Sequence, residues 1–199
     1  HADYVHSQNV PNHVANTMPA PYYRFDGVDD VINLDALAVV LAVASNTKGA
    51  IAFRGTVDRL ANTNAWGFGD TNADAGIHSE IRSDGKIRIK MRASAWEIVS
   101  DDALITAGVE FHYVVVHDGT SPSLYFNGSS VSITNLVSTD LTEWFGNETG
   151  IDNGRIGAFN FNSSGNGGFT EETLKGFSVW NHALTATEVK ELYSGASVP

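Results

Sequence analysis

Residues Phe111–Gly128, FHYVVVHDGTSPSLYFNG, decide how the chain folds. Phe111–His117 is short, aromatic and β-branched, which reads as a buried strand. Leu124–Phe126 leads into Asn127-Gly128, a pair that favours positive φ and a tight turn, and Val131–Ile133 follows. The same grammar extends outward. Gly76–Arg82 and Lys86–Arg92 flank Ser83-Asp84-Gly85, and Asp-Gly between alternating runs predicts a hairpin. Val39–Ala44 and Ala50–Arg54 are apolar runs of strand length, and Asn160–Gly168, NFNSSGNGG, reads as a flexible polar loop. One helix is predicted, over 185–193. Thr185 caps it, Glu188 completes a capping box, and Val189, Leu192 and Tyr193 share a face before Gly195 ends it.

Residues 1–21 stand apart as an extended N-terminal arm. Pro11, Pro19 and Pro21 deny it a helix or a central strand, and it lacks a periodic apolar face. It is expected to lie across its own domain or, as a route to a homo-oligomer, across a neighbouring subunit. Residues 22–199 then form one domain, of a size normal for a single sandwich.

Composition narrows the function. Charged residues make up 18% of the chain and its net charge is −11, so phosphate backbones are repelled and nucleic acid is not an expected partner. There is no cysteine, hence no disulfide and no thiol chemistry. No apolar run approaches the ~20 residues of a membrane-spanning helix. The chain starts at His1 without a Met or a signal-like segment, which predicts a processed product or an excised domain.

Three segments resemble the laminin-G-like group of concanavalin A-like jelly rolls: Tyr22–Leu34 (YYRFDGVDDVINL), Phe111–Gly128, and Arg155–Tyr193 with its ending LKGFSVWNHALTATEVKELY. They look like that family's opening strand, central hairpin, and closing strand with short helix. The resemblance implies an all-β, two-sheet antiparallel jelly-roll sandwich with one short C-terminal helix. It also implies non-catalytic glycan binding or adhesion on an extracellular or virion surface. The alternative is a structural virion subunit, in contact with neighbouring protein subunits, that binds no sugar. A glycan-cleaving enzyme is the third class, but the E-x-D-x-x-E strand of the family's glucanases, which would set two carboxylates on one face, is missing.

Candidate sites follow from chemistry. Asp26, Asp29 and Asp30 lie on and just after the first family-like strand, and clustered carboxylates suit a structural calcium ion. Asp70, Asn72 and Asp74 alternate like part of an EF-hand, but the twelfth position is Ile81, so that motif is rejected. Trp66, Trp96 and Trp180 are predicted core residues. Trp144 and Phe145 precede Gly146-Asn147 and are read as a loop platform for a sugar ring. Asn160, Phe161 and Asn162 are read as further sugar-binding residues, with amides to meet hydroxyls. Glu80 and Arg82 are expected to face Arg88 and Lys90 as cross-strand charge pairs.

Overall fold

The computed structural model describes residues 3–5, 22–92, 95–148 and 150–195. Two seven-stranded antiparallel sheets pack face to face. The first contains, in spatial order, β1 (Asp3–Val5), β2 (Tyr22–Asp26), β16 (Glu171–Trp180), β4 (Gly49–Val57), β9 (Phe111–His117), β10 (Pro122–Phe126) and β11 (Ser129–Ser130). The second runs β12 (Ile133–Ser138), β8 (Trp96–Ser100), β7 (Ile87–Met91), β6 (Gly76–Ile81), β5 (Thr63–Gly69), β13 (Asn153–Ile156) and β3 (Ile32–Asn33). A small hairpin, β14 (Phe159–Asn160) with β15 (Asn166–Gly167), and two helices, α1 (Asp35–Leu41) and α2 (Ala186–Tyr193), complete the described fold.

Alternation builds the core. Ile87, Ile89 and Met91 of β7 point inward while Arg88 and Lys90 point out. Trp66, Phe68, Ile77, Trp96 and Ile98 of the second sheet meet Phe53, Phe111, Tyr113, Val115 and Leu174 of the first. Strand β9 is buried along its whole length because both its faces are covered. Its Val114 and Val116 pack in a second, smaller cluster with Ala50, Ala52 and Leu184, and with Val189 of α2; Trp180 flanks that cluster, partly buried. The capping box at Thr185 and Glu188 forms as expected. So do the turns at Gly85 (φ 78°) and at Asn127-Gly128 (φ 48° and 81°).

Three expectations are corrected. The run Val39–Ala44 is not a strand; its first three residues end helix α1. Ala38 and Leu41 are buried while Val39 and Val40 are exposed, a helical spacing. The segment 160–168 is not a plain loop, because Asn162 and Ser163 take left-handed φ values and close the β14–β15 hairpin. Lys90 lies opposite His78 rather than opposite Arg82, which pairs with Asp84 beyond the strand end, whereas Glu80 does meet Arg88. Of the expected arm, only Asp3–Val5 lies within the described residues, paired antiparallel with Tyr22–Arg24.

Glu172 projects from β16 into the interior and is fully buried. One carboxylate oxygen has no partner and the other lies 3.5 Å from the Thr170 hydroxyl. Burial pushes its pKa well above the usual carboxylate range, so the folded state holds a proton that the unfolded chain releases. Stability must therefore fall as pH rises from the unfolded carboxylate pKa toward the folded one, by up to about 1.4 kcal/mol per pH unit for this one proton. Glu172→Gln is expected to flatten that decline between pH 5 and 8, measured by denaturant unfolding at each pH.

Candidate functional site

The outer face of the second sheet gathers an unusual set of side chains. Gly67 of β5 lies opposite His78 of β6, and a Cβ at Gly67 would come within 2.2 Å of the Phe159 ring. The absence of a side chain there lets the β14–β15 hairpin rest directly on the sheet. His78 stacks on Phe159 with ring centroids 4.5 Å apart, and Phe159 stacks on Phe161 at 4.8 Å. The Arg92 guanidinium sits over the Phe161 ring, 3.6 Å from its centroid, a cation–π contact. His78 is buried beneath this group, and desolvation with the nearby Arg92, Lys90 and Arg88 holds its pKa down to about 3. It is neutral at physiological pH.

Beside the stack runs a row of cations. Arg88 and Lys90 alternate outward along β7, and Arg92 follows immediately after the strand. Arg88 is held by Glu97 at 2.7 Å and Glu80 at 3.2 Å, with Glu97 the main reason its guanidinium binds its proton more tightly. Lys90 has Glu97 at 3.8 Å, and Arg92 pairs with Asp74. The face therefore offers fixed donors, fixed acceptors and an aromatic surface within one patch. Sequence reading reached Arg88, Lys90 and Glu80 as charge pairs and gave no binding role to Arg92, His78 or Glu97. The recoverable signal was Arg88-x-Lys90-x-Arg92, three cations at strand period in a strongly acidic chain.

The expected site residues divide. Phe161 is half-buried within the stack, Asn160 lies on the hairpin with an unpartnered side-chain oxygen, and Asn162 is exposed at its turn. Trp144 and Phe145 are a correction: both are interior, 1% and 0% exposed. Trp144 stacks on His117 at 5.1 Å and Phe145 meets Phe68 edge-on at 5.4 Å. Bulky aromatic rings bury more favourably than they sit exposed, so neither ring presents a face to a ligand.

Asp26, Asp29 and Asp30 do come together, one carboxylate oxygen from each lying within 4.8 Å of the others. Asp26 Oδ1 accepts from the Val28 amide at 2.8 Å, and Asp30 Oδ2 accepts from the Asp26 amide at 3.0 Å. The Val28 amide is the main reason the Asp26 pKa is lowered. Three hard carboxylates fit a calcium ion, whose six to eight ligands would need further carbonyls or water. Asp70 and Asp74 are engaged elsewhere, with the Asn72 amide and with Arg92.

The chain belongs to the concanavalin A-like lectin/glucanases superfamily, whose family model matches residues 30–190. No curated protein sequence matches it significantly. Among solved structures it is similar to the carbohydrate-binding module CBM40 of the Ruminococcus gnavus IT-sialidase, with a TM-score of 0.72 at 14% identity, covering 86% of this chain and 96% of the module. That module has also been solved bound to α2,3- and to α2,6-sialyllactose. The NanB sialidase of Streptococcus pneumoniae gives a TM-score of 0.70 at 20% identity, covering 89% of this chain and 27% of that one, so the present chain spans about a quarter of that enzyme. A heptameric SAP-like pentraxin of Limulus polyphemus gives 0.56 at 18% identity, with 74% and 70% covered.

Burial of Trp144 makes a stability prediction. Trp144→Ala should destabilise the domain by roughly 3–5 kcal/mol through cavity formation, lowering the melting temperature by on the order of 10 °C. A scanning calorimetry trace unchanged by the substitution would contradict the interior placement.

Proposed function

We propose that this domain is a non-catalytic carbohydrate-binding module deployed outside the cell, and that it holds glycans on the outer face of its second sheet. The observation that carries the reading is the cationic row Arg88, Lys90 and Arg92 beside the Phe159–Phe161 stack. Sugar recognition uses convergent donors and acceptors with a flat apolar surface, and this patch supplies both. The cations favour a glycan that carries a carboxylate, in keeping with the sialyllactose bound by the similar Ruminococcus gnavus module. Lys90 is the least tied of the three and is assigned to the carboxylate, while Phe161, Asn160 and Asn162 contact the ring and its hydroxyls.

The carboxylates on this face support binding rather than cleavage. Glu80 and Glu97 are both held by Arg88, whereas glycoside hydrolysis requires one carboxyl kept protonated next to the bond that breaks. Of the described carboxyls whose pKa is raised, Glu148 and Glu172 are buried, and Glu143, partly buried, lies in the segment between β12 and β13 rather than on the strands that carry the cationic row. A virion structural subunit, the second class raised by the sequence, drew on the closing segment, the absence of cysteine and the N-terminal arm, and most of that arm lies outside the described residues.

Titration calorimetry with α2,3-sialyllactose and with lactose tests the reading. The sialylated sugar should bind and lactose should bind more weakly. Phe161→Ala and Lys90→Met should each weaken binding about tenfold, the worth of one aromatic or charge-assisted contact. Equal affinity for both sugars, or affinity that survives both substitutions, would contradict it.

For Asp26, Asp29 and Asp30 the reading is a structural calcium ion. An ion bound only by the folded state adds stability, so the melting temperature should drop in chelator and recover with added calcium. A melting temperature indifferent to both would remove calcium from the account.

A further inference from the structure

A cleft of about 160 Å³ opens on the opposite side of the sandwich, where β4, β9 and β16 of the first sheet meet the end of α2. Its shape originates in a β-bulge. Pairing between β16 and β4 steps from Leu174↔Gly55 to Gly176↔Arg54, so Lys175 is the extra residue. Leu174 points to the core, as do Phe177 and Val179 further along, so the bulge leaves Lys175 and Gly176 together on the outer side. Gly176 lies on the cleft floor. A Cβ there would meet only the Arg54 Cβ, at 3.9 Å, so neither packing nor backbone conformation demands a glycine. A larger side chain would project into the opening.

The polar groups around this space are cationic or neutral, with one exception. Arg54 lines it, its Nη2 fixed by donation to the Tyr193 carbonyl at 2.8 Å. Lys175 lines it from the bulge. Glu110, at the rim, pairs with both: its Oε1 is 3.2 Å from Arg54 Nε and its Oε2 meets Lys175. The Arg54 Nε nevertheless has no hydrogen-bond partner, so that contact is an ion pair without hydrogen-bond geometry. Two cations against one carboxylate leave local positive charge on a protein of net charge −11. His112, opposite Arg54 in the register, lines the same cleft. It is 96% buried, and its Nδ1 has no partner. Buried polar atoms are normally satisfied; burial and the Arg54 charge keep His112 neutral, so with its Nδ1–H tautomer the orphaned imidazole nitrogen and the orphaned guanidinium N–H call for a ligand that can accept from both. Ser178 adds a hydroxyl on the open side.

We propose that this cleft is a second binding site, separate from the glycan-binding face, for a small oxyanion: a carboxylate, sulfate or phosphate group. The anion accepts from Arg54 Nε, Lys175 Nζ and His112, with Ala52 and Leu192 as its apolar walls. Glu110 swings from the rim as the anion takes over the two cations it now bridges; its side chain is 42% exposed and free of the sheet interior.

The test is an amide-resolved nuclear magnetic resonance titration of the whole chain. Sodium acetate, sulfate and phosphate are each compared with sodium chloride at matched ionic strength. Saturable shifts are expected at the Gly176, Ser178 and Leu192 amides with at least one oxyanion and not with chloride. The anion that saturates at the lowest concentration separates a carboxylate ligand from a sulfate or phosphate one. Lys175→Met should weaken the response about tenfold, the worth of a charge-assisted hydrogen bond, and Gly176→Val should abolish it. Both should leave the remaining spectrum unchanged, and Lys175→Met carries the test if Gly176→Val fails to fold. Phe161→Ala should leave the response intact, which separates failure here from failure of the glycan reading. Shifts equal to those in chloride, shifts that saturate at an unchanged concentration in Lys175→Met, shifts that persist in a folded Gly176→Val, or the absence of shifts would overturn the proposal.

Discussion

The fold depends on covering β9 from both sides. Phe111, Tyr113 and Val115 face the second sheet, while Val114 and Val116 face outward and would be left in water without α2. At about 25 cal/mol per Å² of apolar surface removed from water, two exposed valines on a central strand are a substantial cost. The C-terminal helix therefore cannot be an ornament. Val189 and Leu184 close the second cluster, and the capping box at Thr185 fixes where the helix begins. The first sheet thus has its outer face largely committed to packing. Among the described residues the second sheet has no such covering helix, and its outer face carries the cationic row and the aromatic stack.

What occupies that face is determined by charge compensation. A chain of net charge −11 that sets Arg88, Lys90 and Arg92 in one row concentrates a quarter of its lysine and arginine residues there, 3 of 12. Glu80, Glu97 and Asp74 hold these cations in place, so the row is ordered before a ligand arrives. Pre-ordered donors lower the conformational entropy lost on binding. Long-range repulsion from the acidic surface leaves an anionic ligand of the proposed kind to be recognised at close range, by hydrogen bonds and stacking rather than by steering.

Much of the fold was legible because local chemistry and tertiary structure agree. Asp84-Gly85, Asn127-Gly128 and the Thr185–Glu188 box each specify a backbone conformation on their own, and each formed. Val39–Ala44 was misread because an apolar run of strand length carries no period of its own; only contact with the core shows that Ala38 and Leu41 share a face. Trp144-Phe145 failed as a surface platform for a related reason. Neighbouring polar residues and glycine suggested a loop, but His117 and Phe68, distant in sequence, supply the stacking partners that draw both rings inward. The site was half legible. Phe161 and its two asparagines were singled out from the sequence and are kept in the proposed site, whereas His78 and Arg92 join them only through the β5–β6–β7 register and the glycine at 67.

The central claim is that glycans are held on the outer face of the second sheet, and the most direct measurement of it is where α2,3-sialyllactose perturbs the amide spectrum of the intact chain. Perturbations should centre on Lys90, Arg92 and the Phe159–Asn162 segment. Perturbations confined to Asp26–Asp30 or to the cleft beside α2, or a spectrum that does not change, would contradict it.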